Sequence, residues 1–578
     1  MLVRNVRGKV KRKVKRKVKR KVKRKIKNTR EIDSRIKYCR IHPGIGIARL
    51  GNSPDDFFIA PEVAGSPPIP KDNLFKDIQG RVKRQAVRFH IYAYDSDNKA
   101  IKELTSDDCS IIWRVHLANI KGISKLFKGK YEQKHNEFRN NKVVDRNDLI
   151  IDPGSRFIGG KNQSGDNYKF NTGKFLGITV PLGEIRTDDK GRLIVLGGFG
   201  KSDTIDKNKF KITNYANNDG WFDDTSDGPV TASVTLNSNS TTLPVKDNAW
   251  VIVAPPKFAP YHYPIVTLYD TMKELAIEEK WITTPEEISF MHDIFPLFSR
   301  VLQYKWLNKS VDDGHGENRP GSILAKFEEL SSNSEDRASL RKMIFAKVRN
   351  PNLVNNPNTA QAKSQANYSN LSLPGFMPLM SGDGGDIEDG KFLNFLTILP
   401  SQYENLKKWR DGDFISDFAV SQINNPLVQG KTLDEIPLEE QPDTLDKSAL
   451  ELSIGGAFYP GIEISYIASD PNFYDGKPFR FNPNLMPGDI TKYMALPWQA
   501  DFLLCRDNWW PTARPDDVIP EEVTSANVIS SKKWARGSDG LVFTNDYMKM
   551  VNEWNKLGFI KPKKDQEKIV FIESERSF

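Results

Sequence analysis

The residues best suited to chemistry lie in PWQADFLLCRDNWWPTARPDDV, Pro497 to Val518, where Asp501 stands four positions before Cys505. On a helical turn that spacing puts a carboxylate and a sulfur on one face. A cysteine nucleophile of the ordinary kind needs a histidine or a positive neighbour to lower its pKa. None of the seven histidines is near Cys505 in sequence. A thiol that attacks an oxidised aromatic ring has other needs: a tryptophan, a base to take protons, and a protected pocket. Trp509, Trp510, Trp534 and Trp554 all follow Cys505. Taken alone, the WWP run is also what two rings filling a core beside a turn-setting proline look like, so a structural role stays open.

A second cluster, DGWFDDTSDG (219–228), offers Asp219, Asp223, Asp224 and Asp227. Four carboxylates could hold a hard cation, but their spacing fits no EF-hand loop. Asp-Gly pairs are what tight turns use, and a turn is the better reading. No metal site is assigned. Cys39 and Cys109 read as small buried hydrophobes, and three cysteines without a CxxC pair suggest neither a disulfide framework nor a zinc site. GIGIARLG (44–51) lacks the spacing of a dinucleotide fingerprint, and P-loop, HExxH and GxSxG motifs are missing. His42, in IHPG, reads as a turn or core residue.

The elements that must position these groups divide the chain in two. From about residue 36 to 255, short strand-like runs such as VRFHIYAY (87–94), IIWRVHLANI (111–120), RLIVLGGFG (192–200), ASVTL (232–236) and AWVIVAPP (249–256) alternate with turn clusters. Helical spacing then predominates, over 264–280, 284–303, 323–348 and 392–409. Residues 349–390 read as a long loop, and 453–468 as a glycine-interrupted strand region. The expected class is α+β: a basic tail (1–35), a β-rich N-terminal domain (36–260), and a C-terminal domain of mixed helix and strand (261–578).

Length and composition agree with a large globular body. The 578 residues are 38% hydrophobic and 10% aromatic, which argues against wholesale disorder. The net charge of +11 belongs to the tail, since residues 1–30 hold 17 Lys or Arg and no acid. The remainder carries 68 basic and 74 acidic residues, so a nucleic-acid-binding body is not indicated. The tail repeats KVKR, a composition suited to a polyanion or an anionic surface and equally to a dispensable extension. No apolar run is long enough to span a membrane and no Sec signal is evident; the default expectation is cytoplasmic, with non-classical export left open.

The segment around Cys505 resembles the quinone-forming motif of the L-lysine ε-oxidase and glycine oxidase family, whose members carry cysteine tryptophylquinone. The resemblance extends to IHPGIGIARLGNS (41–53), RLIVLGGFG (192–200), NNDGWFDDTSDGPV (217–230) and GGAFYPGIE (455–463), in the family's order. It implies that Cys505 is joined by a thioether to a tryptophan that becomes the quinone. By the same resemblance Asp501 assists cofactor formation and takes the substrate's proton. Trp534 in KKWARG matches the family's W-x-R pattern for the partner ring; Trp554, and the Trp509–Trp510 pair, are the alternatives. Phe222 matches an aromatic that faces the substrate, and a phenylalanine there favours a small or apolar substrate over lysine.

The implied activity is oxidative deamination of an amino acid or primary amine by dioxygen, giving an aldehyde or keto acid, ammonia and hydrogen peroxide. Burial of Asp501 among Trp498, Phe502 and Trp510 would raise its pKa and suit it to general-base work. The resemblance also implies a flavoprotein maturation enzyme, and a body of this size suits a homo-oligomer with shared sites. Competing readings are a non-catalytic β-rich protein that binds a polyanion through its tail, and a family member that never forms the quinone.

Overall fold

The computed structural model describes residues 34–577 except 128–135, 354–375, 383–386, 389–390, 393–394, 424, 428–429, 457–463, 506, 522–530, 539–546 and 567. Most of the basic tail and of the loop expected over 349–390 lies outside the described residues, as does most of the GGAFYPGIE segment.

Strand chemistry sets the first half. Cys109–Val115 alternates buried and exposed residues, as a strand with one face on a core and one in water should. Ala249–Ala254 is buried at every position and pairs in parallel with Ile45–Arg49, itself wholly buried. These runs join a 13-stranded sheet whose main path is Gly183–Thr187, Leu193–Gly197, Arg84–Tyr94, Ile45–Arg49, Ala249–Ala254, Ser226–Leu236, Cys109–Val115 and Arg156–Gly159. Cys39 and Cys109 are free thiols buried in this part, as expected of small hydrophobes.

The second half is helical but more broken than its periodicity predicts. Leu268–Glu278 begins at a capping box of Thr267 and Asp270. Phe295–Gln303 is preceded by one π-helical turn, Phe290–Ile294. The helix predicted over 323–348 is instead a series of short pieces ending in Ala338–Phe345, because the SSNS run at 331–334 breaks it. The helix predicted over 392–409 is Pro400–Asp411, its start set by a proline in the first turn. Within the strand region predicted over 453–468, Ser465–Ala468 is a helical turn.

One core joins the halves. Phe89, Trp113 and Val251 of the sheet pack in the same buried cluster as Trp498, Phe502, Cys505, Trp534 and Trp554 of the C-terminal part. A terminal hairpin, Phe559–Asp565 with Lys568–Ser574, closes over this cluster. The helices around Phe298 and Trp409 have a separate core of their own.

Candidate active site

Trp498–Leu504 is a seven-residue helix that follows Pro497 and stops at Cys505, whose ψ of 85° leaves the helical region. The amide of Cys505 still donates to the carbonyl of Asp501 at 2.9 Å. Asp501 and Cys505 therefore stand one turn apart, as their spacing predicts. Asp501 is fully buried, and Cys505 is 6% exposed.

Proline at the N-cap supplies no side-chain acceptor for the first amides of this helix. A carboxylate from the β-rich half does so: Asp223 accepts from the Trp498 amide at 2.9 Å. Asp223 is in turn paired with Lys121, both wholly buried. Asn119 Nδ2 and Thr225 Oγ1 donate to the same carboxylate at 3.1 and 2.8 Å. Burial draws the Lys121 ammonium down to about 8 against the pull of Asp223. Lys121 also donates to the carbonyl of Ala495, and Arg139, fully buried, donates to Ala216 and Met494. The entry to the helix is thus clamped by cations whose donors satisfy backbone carbonyls.

The acidic cluster is more than a turn. Asp227 is buried in strand Ser226–Leu236, where it accepts from Trp250 Nε1 at 2.9 Å and from the amide and hydroxyl of Thr491 at 2.7 and 2.6 Å. Burial raises its carboxyl to about 6. Asp219 accepts from the Asn140 amide at 2.6 Å. Three of the four aspartates therefore brace segments against one another. Among the described residues no group of acids, histidines or cysteines is arranged to hold a metal ion.

At the other end of the helix, Arg514 Nε donates to the carbonyl of Phe502 at 2.5 Å. Asp516, fully buried, accepts from Asn308 Nδ2 at 2.6 Å and from the Asn508 amide at 2.9 Å. Burial raises its carboxyl to about 7, only partly offset by Arg514. The chain then pairs Asp517–Val518 antiparallel with Lys532–Lys533, and the Trp534 amide donates to Asp516 O at 3.0 Å. That pairing returns a residue distant in sequence to the core that holds Cys505.

Trp534 is fully buried. Its ring packs on Phe258 (4.9 Å between centroids) and Phe502 (6.1 Å), with the Arg514 guanidinium 6.0 Å from its centre. Its Nε1 donates to Gly558 O at 2.9 Å, Arg576 donates to its carbonyl, and Arg536 is paired with Glu573 at 2.5 Å. The terminal hairpin and its flanks therefore hold this tryptophan, a contribution that the sequence reading did not anticipate.

The other candidates lie elsewhere in the core. Trp554 packs edge-on to Trp498 at 5.5 Å, against the first turn of the helix. Trp509 and Trp510 stand 5.9 Å apart on the turn after Cys505. Phe222 is 2% exposed and packs on Phe175 at 5.6 Å. His42 is a core residue, between Asp446 and the Tyr94 hydroxyl, each at 3.0 Å.

A buried thiol, a buried carboxylate one turn before it and a clamped tryptophan in the same core fit a protein-derived quinone. Two family descriptions cover this frame: L-lysine epsilon oxidase N-terminal over residues 42–253, and L-lysine epsilon oxidase C-terminal domain over 378–534. The chain belongs to the L-lysine ε-oxidase family. A curated relative, L-lysine 6-oxidase of Marinomonas mediterranea, is 25% identical over 93% of this chain and 89% of its own length. The solved structure of L-Lys ε-oxidase from the same organism, captured as a Schiff-base intermediate with L-Lys, shares the fold with a TM-score of 0.70. It is 23% identical, covering 93% of this chain and 95% of that one. A second structure of that oxidase gives 0.68 at 22% identity, covering 93% and 95%. Family membership makes the chain a quinoprotein amino-acid oxidase, an oxidoreductase, and a non-catalytic polyanion-binding role is not favoured. Among the described residues no helix is long and apolar enough to cross a membrane.

Proposed function

We propose that the cofactor is cysteine tryptophylquinone, built from Cys505 and Trp534, with Asp501 as the proton acceptor for both its formation and its turnover. The observation that carries the reading is the burial of Cys505 and Trp534 in one core, with the equally buried Asp501 one helical turn before Cys505. Helix geometry favours Trp534 over Trp554. Trp554 rests on Trp498, seven residues before Cys505 and so about 10 Å away along the axis. Trp534 rests on Phe502, three residues before it.

When formed, the quinone supplies the electrophilic carbonyl and the electron sink that amine oxidation needs. The chain supplies the rest. Asp501, dry and fixed on the helix, takes the proton from the carbon next to the amine nitrogen. Phe258 and Phe502, packed on the Trp534 ring, shield it from bulk water. Arg514 fixes the end of the helix and with it the direction of the Cys505 sulfur. The net reaction takes an amine, dioxygen and water to an aldehyde or keto acid, ammonia and hydrogen peroxide.

The substrate class is an amino acid or primary amine; L-lysine, which the relative's name gives as its substrate, is one candidate and glycine another. Phe222 is retained as a substrate contact on the family resemblance, although it packs on Phe175. The same resemblance supports a flavoprotein maturation partner. A homo-oligomer, a polyanion partner for residues 1–30, and the division at 35/36 and 260/261 belong to this proposal. The test is peroxide release from a panel of amino acids and amines, with Cys505→Ser and Asp501→Asn alongside. Activity on at least one amine that both substitutions abolish supports the reading; activity that survives Cys505→Ser refutes it.

A further inference from the structure

The β-rich half contributes another carboxyl next to the helix that carries Asp501 and Cys505. Asp224 follows strand Trp221–Asp223 and is 1% exposed. Neither of its oxygens has a hydrogen-bond partner among the described residues. They lie on the backbone of the glycine loop after strand Leu193–Gly197: a Cβ built on Gly198 would come within 2.4 Å of Asp224 Oδ2. No side chain but hydrogen fits between loop and carboxyl.

This loop also touches the site. Gly200, at φ +71°, lies so close to Trp554 that a Cβ there would meet the ring at 2.2 Å. Two residues on, the Ser202 hydroxyl donates to Gln499 Oε1 at 2.7 Å, on the first turn of the Trp498 helix. The same loop thus contacts that helix, Trp554 and Asp224.

An ionised Asp224 would have no counter-ion of its own. Lys121 is committed to Asp223, whose charge opposes a second anion next to it. Arg84 donates to Gly197 O and lies over the Phe199 ring, but it is paired with Glu184. Asp203, further along the loop, is paired with Lys207. The backbone amides of Lys201, Phe199 and Asp224 itself face the carboxyl and favour its ionised form, but none reaches full hydrogen-bond geometry. Burial above all, with the Asp223 charge, moves this carboxyl up to about 7.

We propose that Asp224 is a positioning residue of the oxidase: protonated, it seats the loop 197–202 on the Trp498 helix, and loss of the proton lifts the loop. The importance of the loop for catalysis rests on the proposed roles of Asp501 and Cys505; its movement does not. Sealed, the carboxyl keeps its proton to about pH 7; opened to water, it titrates near the ordinary value of 3.8. Opening therefore becomes about tenfold easier per pH unit between those values and levels off above them.

The experiment is hydrogen exchange of the full chain, read by mass spectrometry on peptides covering 197–204 at pH 5, 6, 7 and 8. Rates are corrected for intrinsic base catalysis. Wild type is expected to lose protection by at least tenfold between pH 5 and 7, and to change little from 7 to 8. Asp224→Asn, which copies the protonated shape, is expected to stay protected throughout. Protection that does not change with pH in wild type, or a variant that follows the wild-type curve, overturns the proposal. Should the variant not fold, the wild-type series decides alone. Because exchange is read whether or not the quinone has formed, its outcome is separable from that of the cofactor assignment.

Discussion

Replacing Lys121 with methionine should damage the active site without touching a reacting group. The side chain is fully buried and its ammonium is paired with an equally buried Asp223. Methionine fills a similar volume but leaves that carboxylate without a counter-charge. Asp223 would keep the bonds from Asn119, Thr225 and the Trp498 amide. Removing one partner of a buried pair costs about 3–5 kcal/mol. In a chain of this size that is a fall in Tm of about 2–4 °C. Asp223→Asn alone strands the ammonium and should cost about as much. The double variant should recover at least about 1 kcal/mol of the summed losses, because no isolated charge then remains. Thermal or urea unfolding of the four proteins measures the cycle. Quinone absorbance measures whether the Trp498 helix still presents Asp501 and Cys505. Single losses under about 1 kcal/mol, or strictly additive ones, would refute the anchoring argument.

Other outcomes follow from the same geometry. Trp534→Phe should abolish quinone absorbance, while Trp554→Phe should leave it measurable and lower stability by about 1–3 kcal/mol through lost packing on Trp498. Asp224 and Asp516 hold protons to about 7 in the folded chain, against 3.8 when unfolded. Folded carboxyls that bind protons more tightly stabilise fully below the unfolded pKa, and lose that contribution as pH rises through the folded one. Their contribution to urea stability should therefore decline between about pH 4 and pH 7, and Asp516→Asn should flatten part of the slope. Glu103 shows the opposite sign. His90 and Arg192 beside it lower its carboxyl to about 2 despite burial, so its contribution should vanish as pH falls from about 4.5 toward 2. An acid-unfolding curve of Glu103→Gln compared with wild type reads this directly.

Part of the fold was legible because local patterning and tertiary packing agree. Alternation in CSIIWRV and an unbroken apolar run in AWVIVA describe strands whose faces have those exposures. Asp501 and Cys505 could be read as a pair because four-residue spacing on a helix needs no tertiary knowledge. Trp534, the proposed partner, needed the family pattern, since its place in the core depends on two-residue strands, 517–518 and 532–533, too short to leave a sequence signal. The cluster that holds Asp223 and Asp227 reads as a turn because Asp-Gly pairs, here 219–220 and 227–228, usually mark one. The burial of these two aspartates under Lys121, Trp250 and Thr491 involves segments far away in the chain. The terminal hairpin was hidden for a related reason: KPKKDQEK at its centre looks solvated, and only its ends, Phe559, Ile560, Phe571 and Ile572, enter the core.

The most direct measurement is a high-resolution peptide mass map of the purified full-length protein, covering Cys505 and the four downstream tryptophans. The expected result is a single crosslinked species joining the Cys505 and Trp534 peptides, with two oxygens gained and four hydrogens lost. A crosslink to Trp509, Trp510 or Trp554 would contradict the assignment of the ring. A free Cys505 beside unmodified tryptophans, persisting after co-expression with a flavoprotein maturation partner, would contradict the cofactor itself.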